Sequence, residues 1–526
     1  MAIPYPYNRT GAQAETEPGG GPVPGQRGVF TWLRNGSQYQ RAMTLEGVFL
    51  NSAKVRSMAV CSDGTALHTT AHYGGTQTIS NGGLADGVVV NSGGRMYVSS
   101  GGTARDVSVN YYGYAYAYGS AVVSGGEVNS SGTLYLSSGA SAVGVTISAY
   151  GGLYGDTGNH FLSCVLSSNG RLSAGNGATV DGLAVCSNAA FHCLRGMDAS
   201  NISVLSGGYL YMSSGAQCRD ARIAQGGRVV PYVTGHDEET VLTGSGPKGE
   251  FSVSSGVARN FTLEGGASLP LYYYGSAVST TLSSGGSLLV SFGAVAEQNT
   301  VCQYGRLIVY SGGTALDTEI QSGGTGYADF RGKLLDTTVS SGAYLYAYNC
   351  GECSGADIQR GAYAYVSSGA RLNSATVAGS AVASSNAVLL SLDIQSGGYV
   401  SAGRGCSATD IRVEGGGRLY LNDYTDGGDI RVESGGSAWL LNMGAYSGLS
   451  LGEGALCSAS AYITLSDVAI AEGARLFLSA YTTATDVSVA SGGTLWVGNG
   501  GSALNVAAID GAVVSVTGGG HVEYAE

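Results

Sequence analysis

The sequence has few charged residues, and this scarcity excludes several broad classes of protein. Only 12% of the 526 residues are charged, too few for a charge-rich disordered chain. The net charge is -12 and the only lysines are Lys54, Lys248 and Lys333, so no basic surface for nucleic acid is expected. No run of about 18 apolar residues is present, which argues against a transmembrane segment. The first twenty residues also lack the charged and apolar regions of a secretory signal.

Residues that would support a metal site or catalysis are sparse and scattered. Ten cysteines in a chain this long are too few for a disulfide scaffold. Cys350 and Cys353 form one CxxC pair, but no second pair follows at zinc spacing, so small, partly buried thiols are expected there. The six histidines are dispersed and no GxSxG motif appears in a strand-turn-helix setting. The sequence therefore predicts no catalytic residue, no metal site and no cofactor.

Glycine is what the sequence has in abundance, and it recurs with a fixed spacing. The 88 glycines lack the three-residue period of collagen. Segments such as GGRMYVSSGGTARDVSV, which begins at Gly93, share one order of features. A glycine precedes an alternating strand, a Ser-Ser-Gly turn follows, and a second short strand ends in Val or Ile. The glycines that anchor this repeat mostly recur at every nineteenth position, and the later ones drift by a single position or so: Gly94, Gly113, Gly132, Gly151, Gly170, Gly286, Gly305, Gly324, Gly342, Gly361, Gly379, Gly398, Gly417, Gly436, Gly454, Gly473, Gly493 and Gly511.

Each repeat predicts two short strands with one apolar face. In the segment Thr133-Leu134-Tyr135-Leu136, the two leucines point to one side and Tyr135 points to the other. One unit cannot bury that face alone, whereas stacked units place Leu over Leu and pair the backbones of successive rungs. The corner glycines are expected to supply positive φ angles. The sequence therefore predicts an all-β, single-stranded parallel β-solenoid of roughly 19-residue rungs, almost without helix.

Composition also suggests three segments along the chain. Residues 1–27 are rich in Pro and Gly and predict a flexible tail. Residues 28–63 contain Phe30, Trp32 and Phe49 and predict a cap over the first rung, whose open edge would otherwise be exposed. Residues 64–526 form the predicted solenoid. Its one enlarged rung, between Val233 and Gly249, predicts a protruding loop.

The repeat resembles the strand-loop-strand repeat of autotransporter passenger domains, of the type found in AIDA-like adhesins. The segments SSGGTARDVSV, SGGTALDTEIQSGG and SGGTLWVGNGG carry the resemblance, which extends over about residues 75–520. It implies a right-handed parallel β-helix on a bacterial surface. In that family such repeats serve as adhesive stalks, and some carry heptose that dedicated transferases attach to serine hydroxyls. The ending GGGHVEYAE shows no alternating ten-residue strands of a translocator barrel, so the export route is not visible in this chain.

The resemblance implies a set of candidate O-glycan serines in the Ser-rich turn. Small hydroxyl residues also suit tight turns because they bond to nearby backbone groups, which is the alternative explanation. The matching positions are Ser99, Ser100, Ser137, Ser138, Ser213, Ser214, Ser367 and Ser368.

Tyrosines at the repeat spacing predict exposed aromatic columns. They fall between the inward-facing positions of successive rungs, where their flat faces suit stacking on sugar rings or packing against another rod. The favoured interpretation is that the stacked tyrosines simply stabilise neighbouring strands. The candidate columns comprise Tyr97, Tyr116, Tyr135 and Tyr154, then Tyr344 with Tyr363, and Tyr346 with Tyr365.

Two pairs of aspartates also recur at the repeat spacing. Asp317 with Asp336, and Asp410 with Asp429, each lie one repeat apart and could bind calcium or share a proton. The favoured interpretation is that each carboxylate caps turn amides on its own.

These features together predict a non-catalytic, extracellular or bacterial surface stalk or adhesin. Its partners would be glycans, a host or neighbouring cell surface, or sister rods, with a glycosyltransferase as a possible modifying enzyme. One alternative is a phage tail fibre or tail spike, which would normally be an intertwined trimer. A second alternative is a polysaccharide-acting β-helix enzyme.

Overall fold

The structure, a computed structural model, is built of short β-strands that pair in parallel from one rung to the next. It describes residues 30–34, 37–41, 44–46, 49–50, 55–167, 169–213, 215–224, 226–232, 241–246, 253–254, 256–367, 369–384 and 386–526. Within these ranges there is no helix. No helix of the described part is long and apolar enough to cross a membrane. The predicted parallel β-solenoid of roughly 19-residue rungs is confirmed.

The chain divides into two compact units, and the first is Met1–Arg259. In each unit one sheet takes a single strand from every rung, and we call it the ladder sheet. The ladder sheet of the first unit contains Phe30–Arg34, Ser37–Arg41, Val55–Val60, Thr76–Ile79, Arg95–Val98, Tyr114–Ala117, Thr133–Leu136, Gly152–Gly155, Arg171–Ser173, Ala190–Cys193, Tyr209–Ser213 and Arg228–Tyr232. The other strands of this unit are Thr44–Glu46, Phe49–Leu50, Thr65–Leu67, Thr70–Ala71, Leu84–Asp86, Val89–Val90, Thr103–Val109, Val122–Val128, Ser141–Val143, Thr146–Ile147, His160–Leu162, Val165–Leu166, Thr179–Asp181, Ala184–Val185, Asp198–Ser200, Ser203–Val204, Gln217–Ile223, Val241–Gly246 and Val253–Ser254.

The second unit is Asn260–Glu526, and the strand Val257–Leu263 contains the boundary. Its ladder sheet contains Ser268–Tyr272, Ser287–Val290, Arg306–Val309, Thr325–Ala328, Tyr344–Ala347, Tyr363–Val366, Ser380–Ala383, Tyr399–Ala402, Arg418–Leu421, Ser437–Leu441, Leu456–Ser460, Arg475–Leu478, Thr494–Val497 and Val513–Val516. Its other strands are Ser276–Val278, Thr281–Leu282, Val295–Glu297, Thr300–Val301, Thr314–Leu316, Glu319–Ile320, Lys333–Leu335, Thr338–Val339, Glu352–Ser354, Asp357–Ile358, Arg371–Asn373, Thr376–Val377, Val388–Ile394, Ser407–Val413, Asp426–Val432, Gly444–Leu451, Ile463–Ile470, Thr483–Val489, Ser502–Ala508 and His521–Tyr524.

Strand register follows the sequence repeat closely. Tyr116 pairs with Tyr97 on one side and with Tyr135 on the other, each one full repeat away. One rung is shorter, because Tyr363 pairs with Ser380, 17 positions on. Another rung is longer, since Gln217 pairs with Val241, 24 positions on. The predicted loop between residues 233 and 249 falls largely outside the described residues.

The core is a stack of small and branched apolar side chains that alternate with outward-facing residues. Leu134 and Leu136 are almost wholly buried, whereas Tyr135 between them is 39% exposed. Period-two alternation puts the apolar side chains of each strand on one face, and parallel stacking places that face above its equivalent in the preceding rung. Every outward-facing side chain therefore lies directly over another one, a rung below.

Some anchor glycines, such as Gly342 and Gly361, have the predicted positive φ, whereas others are required for a different reason. The prediction of positive φ is wrong for Gly94, Gly113, Gly132, Gly151 and Gly170. The residue before each of them carries the positive φ instead, for example Ser131 (63°) and Tyr150 (65°). A Cβ atom at any of these five glycines would lie 2.1–2.4 Å from a carbonyl oxygen of the preceding rung. These glycines therefore permit close approach of two backbones, which is a separate use of a missing side chain.

This distinction explains the drift of the anchors in the sequence. Gly342 has φ 77° and corresponds to Gly323 (φ 75°), one 19-residue rung earlier, rather than to Gly324. Ala343 then takes the place of Gly324, and both donate their N–H across the turn, to Ser340 and Gln321 respectively. The rung length is therefore constant here, and the glycine has moved by one turn position.

A third corner bends each rung between its second and third strand segments. A single residue with positive φ makes this bend, as Asp106 does with φ 47°. Asp317, Asp336, Asp410 and Asp429 occupy the same corner, with φ of 48–54°. Asp and Asn tolerate the left-handed region better than most residues, so the geometry of the corner accounts for this recurring aspartate. Many rungs consequently contain three strand segments, where the sequence predicted two.

The first described strands pair differently from the rest. Phe30–Arg34 lies antiparallel to both Ser37–Arg41 and Val55–Val60. Thr44–Glu46 and Phe49–Leu50 already pair in parallel with strands of the following rung. The division into a tail, a cap and a repeat domain stays a prediction, and residues 1–29 lie outside the described part of the chain.

Candidate functional site: the tyrosine column and its groove

The predicted tyrosines of the first unit form one continuous stack on the outer face of the ladder sheet. Each of the four occupies the same strand position on successive rungs. Ring centroids are 5.2 Å apart for Tyr97 and Tyr116, 5.3 Å for Tyr116 and Tyr135, and 5.4 Å for Tyr135 and Tyr154. The ring planes differ by only 11–25°. We call these four residues the tyrosine column.

A fifth ring, absent from the predicted set, widens the column. Tyr118 lies two residues after Tyr116 on the same face, and its centroid is 6.5 Å from those of both Tyr97 and Tyr116. Burial raises the pKa of the Tyr116 and Tyr118 phenols above their ordinary value. Both hydroxyls therefore keep their protons at neutral pH and can donate hydrogen bonds.

A groove of about 290 Å³ runs beside the column. It contains aromatic, hydroxyl and carboxylate groups within one small concave surface. Its lining consists of Tyr116, Tyr118, Tyr135, Leu136, Ser137, Tyr154, Gly155 and Asp156. Small-molecule sites generally combine apolar walls with a few such polar groups.

The second unit carries the other predicted tyrosines in two adjacent stacks. Tyr344 and Tyr363 are 5.5 Å apart, and Tyr346 and Tyr365 are 5.2 Å apart. Tyr327, which is absent from the predicted set, extends the second of these stacks at 5.1 Å from Tyr346. The geometry of each predicted pair is therefore a stack, whereas a ligand-binding role for these rings stays a prediction.

Other aromatic residues continue the same strand position and were missed. Beyond Tyr154 the register runs through Ser173 to His192 and Tyr211, whose rings stack at 4.7 Å. In the second unit the equivalent position holds Tyr420 and Trp439, stacked at 4.4 Å. Repeated addition of the repeat length to Tyr154 reaches His192 and Tyr211, so the signal was present. The predicted column ends at Tyr154 because Ser173 interrupts the run of aromatic residues.

Two of the candidate serines accept a backbone hydrogen bond from a neighbouring rung. Ser120 donates its N–H to Ser100 Oγ at 3.2 Å, and Arg195 donates its N–H to Ser213 Oγ at 2.9 Å. Each bond joins neighbouring rungs. Ser100 and Ser138 are exposed, whereas Ser99, Ser137, Ser213 and Ser367 are half-buried. Ser214 and Ser368 lie outside the described residues. Modification of any of these serines stays a prediction.

The remaining candidate groups are positioned by the turns and the core. Ser391 donates a hydrogen bond to Asp410 at 2.8 Å, between neighbouring rungs. In the described part of the chain, no group of three or more His, Cys, Asp or Glu residues could hold a metal ion. Cys353 is buried and Cys350 is exposed. Burial raises the pKa of the Cys353 thiol to about 12.

Comparison with known proteins finds the adhesin stalk family. Residues 243–303 match the family described as "Adhesin of bacterial autotransporter system, probable stalk". The resemblance predicted from the repeat is confirmed over this stretch. A search of curated proteins found no significant match to the chain.

Two solved structures were also found to be similar. One is a hyper-glycosylated fragment of TibA, modified by TibC, with 21% identity, coverage of 91% of this chain and 98% of that chain, and a TM-score of 0.20. The other is the periplasmic alginate epimerase AlgG, with 10% identity, coverage of 93% and 85%, and a TM-score of 0.11. At such identities and TM-scores, neither protein's properties extend to this chain.

Proposed function

We propose that this chain is a non-catalytic, extracellular or surface-exposed stalk that presents adhesive faces. The observation that carries the proposal is the match of residues 243–303 to the adhesin stalk family. The same repeat continues on both sides of that stretch, with the same turns and the same 19-residue register. A segment recognised as stalk is thus one part of a longer uniform repeat.

The construction of the rungs supports a structural role. Each rung buries its own apolar residues and pairs its backbone with both neighbours, so stability comes from nearest-neighbour contacts repeated along the chain. Outward-facing residues have no part in that core. They can therefore form extended surfaces, such as the tyrosine column, that contact glycans, another cell surface or further copies of the chain.

Display on the surface of a non-adherent bacterium tests this proposal. We expect the displaying cells to adhere to cultured cells or to one another well above an empty-display control, and the purified chain to compete with that adhesion. Equal adhesion by the control would refute the adhesive role.

Two further measurements test the alternatives from other classes. Sedimentation of a stable, intertwined trimer would replace the stalk with a tail fibre or spike. Turnover of any member of a polysaccharide panel would replace it with a glycan-acting enzyme. A monomer without turnover is the expected result for both measurements.

We also propose Ser100 and Ser138 as the acceptors for O-linked sugar, since both are exposed. Their hydroxyls form inter-rung hydrogen bonds at the surface, Ser100 to Ser120 at 2.9 Å and Ser138 to Thr157 at 3.1 Å. Co-expression with a heptosyltransferase of this adhesin class should add heptose-sized mass increments to peptides that contain these serines. Peptide masses that remain unchanged would exclude them as acceptors.

A further inference from the structure

Beside the tyrosine column, one position holds a different type of side chain on each of three successive rungs. Tyr118, Ser137 and Asp156 occupy one position on successive rungs, and their N–H groups bond to Val98, Ala117 and Leu136 respectively, each in the preceding rung. An aromatic ring, a hydroxyl and a carboxylate therefore follow one another along one side of the groove. The column itself forms the other side.

Missing side chains keep the space around Asp156 open. The next residue in its position is Gly175, which places no side chain above the carboxylate. A Cβ atom at Gly152 would lie 2.4 Å from Tyr154 Cε2, so the Tyr154 ring leans over Gly152, away from Asp156. The groove thus has an aromatic wall on one side and an accessible carboxylate at one end.

We propose that this groove binds a neutral hexopyranose unit of a glycan, an inference that rests on the proposed surface function and specifies its ligand. The apolar face of the sugar packs against the outer edge of the aromatic wall, where Tyr135 is 39% exposed and Tyr154 is half-buried. Its hydroxyls donate hydrogen bonds to the Asp156 carboxylate. They also donate to the Ser137 hydroxyl or accept from it. The volume of about 290 Å³ lies at the small end of the range for ligand sites, which suits one or two sugar rings.

Charge restricts the ligand to a neutral sugar. None of the eight residues that line the groove, all of them described, is cationic, and Asp156 is the one acidic group among them. The whole chain carries a net charge of -12. A uronate or sialate carboxylate would therefore meet repulsion from Asp156 without a cationic partner among the lining residues.

A second copy of the chain is a poorer occupant. Packing another aromatic face against the column would bury Asp156 without an opposite charge, and an unpaired buried carboxylate is costly. A sugar satisfies the same carboxylate with hydroxyl donors while its apolar face packs against the edges of the rings.

Saturation-transfer NMR and calorimetry on the full chain test the inference. The probes are neutral hexasaccharides of glucose, mannose and galactose, with hexagalacturonate as the acidic counterpart. We expect saturation of the ring protons of at least one neutral probe and none for hexagalacturonate. Tyr135→Ser should weaken binding by about tenfold or more, because it removes the central ring. Asp156→Asn should weaken it severalfold, since an amide is a poorer acceptor.

Tyr481→Ser is the matched control, because Tyr481 is also an exposed tyrosine that stacks on a neighbour, Tyr462, at 5.3 Å, in the other unit. It should leave binding unchanged, and all variants should keep the melting temperature of the parent. Binding of no neutral probe, a preference for hexagalacturonate, or an equal loss in Tyr481→Ser would overturn the inference. Were Tyr135→Ser to fail to fold, Asp156→Asn at the exposed rim would still decide the question.

The adhesion assay separates this inference from the proposed function. If displayed cells adhere but no neutral sugar binds the groove, the sugar site is wrong and the adhesive stalk stands. If the groove binds sugar but cells do not adhere, the site is correct and the adhesive function is wrong.

Discussion

At the scale of single residues, burial separates side chains that are close neighbours in sequence. Cys350 lies in a turn and is exposed, whereas Cys353 lies three residues later in a strand and is 1% exposed. The CxxC pair therefore combines one surface thiol and one core thiol. Since the strand register decides which of the two thiols is buried, a comparison of their reactivities tests that register.

We expect iodoacetamide at pH 8 to alkylate Cys350 and to spare Cys353 in the native chain. The thiolate is the reactive form, and burial raises the pKa of Cys353 to about 12, which leaves roughly one thiolate in ten thousand at that pH. Peptide mass spectrometry after timed labelling gives both rates in one sample. Comparable rates for the two thiols in the native chain, rather than only after denaturation, would contradict the register.

At the scale of the strand and its turn, the close approach of neighbouring backbones at the anchor glycines leads to a testable prediction. Gly132→Ala places a Cβ atom 2.2 Å from the Val109 carbonyl oxygen, so the rung must shift. We expect a local loss of about 1–3 kcal/mol. Hydrogen exchange of the Thr133–Leu136 amides should then be faster by about tenfold to a hundredfold.

Gly403→Ala is the control, because the nearest atom to its new Cβ would be 3.7 Å away and its φ is not positive. Its neighbouring amides should exchange at the parental rate. If the amides of Gly132→Ala also exchange at the parental rate, the rung can accommodate a Cβ atom at this turn position, as it does at Ala343. Close approach of the two backbones would then not be the reason for the glycine.

The element scale also shows where sequence reasoning succeeds and where it fails. Strand alternation and the 19-residue spacing predicted the solenoid and the stacking of Tyr97 with Tyr116, because both depend on simple periodicity. The groove could not be predicted, since it depends on the direction in which the Tyr154 ring leans and on the empty space above Asp156. Both follow from glycines outside the anchor set.

The sequence pattern also did not predict the polar residues that occupy core positions. Thr280, Asn299, Thr318 and Thr337 occupy one buried position on four successive rungs of the second unit. The Thr280 N–H donates to Asn299 Oδ1 at 2.9 Å. A pattern of apolar alternation treats such residues as outward-facing, so only the structure reveals that the core contains a polar column.

At the scale of the whole molecule, buried thiols and stacked phenols should make the folded state lose stability under alkaline conditions. Burial raises the pKa of Cys164 to about 11 and the pKa of Cys193 and Cys457 to about 12, as for Cys353, from an ordinary value of 9.0. Burial also raises the pKa of the Tyr346 phenol. On the acidic side, hydrogen bonds from Asn201 and Ser200 lower the pKa of the Asp181 carboxylate.

These shifts predict a stability that is flat near neutrality and falls steeply above pH 9. A group whose pKa is raised by folding loses its proton more readily in the unfolded chain. Its contribution is therefore complete below about pH 9 and is lost as pH rises through 11–12. Calorimetric melting temperatures should be nearly constant from pH 6 to 8.5 and should drop progressively from pH 9 to 11.5. Replacing Cys193, Cys353 and Cys457 together with alanine should make this drop shallower, although the neutral melting temperature will be lower because each change leaves a small cavity. A parent chain that melts at the same temperature at pH 11.5 as at pH 8 would show that these thiols are not buried in the folded state.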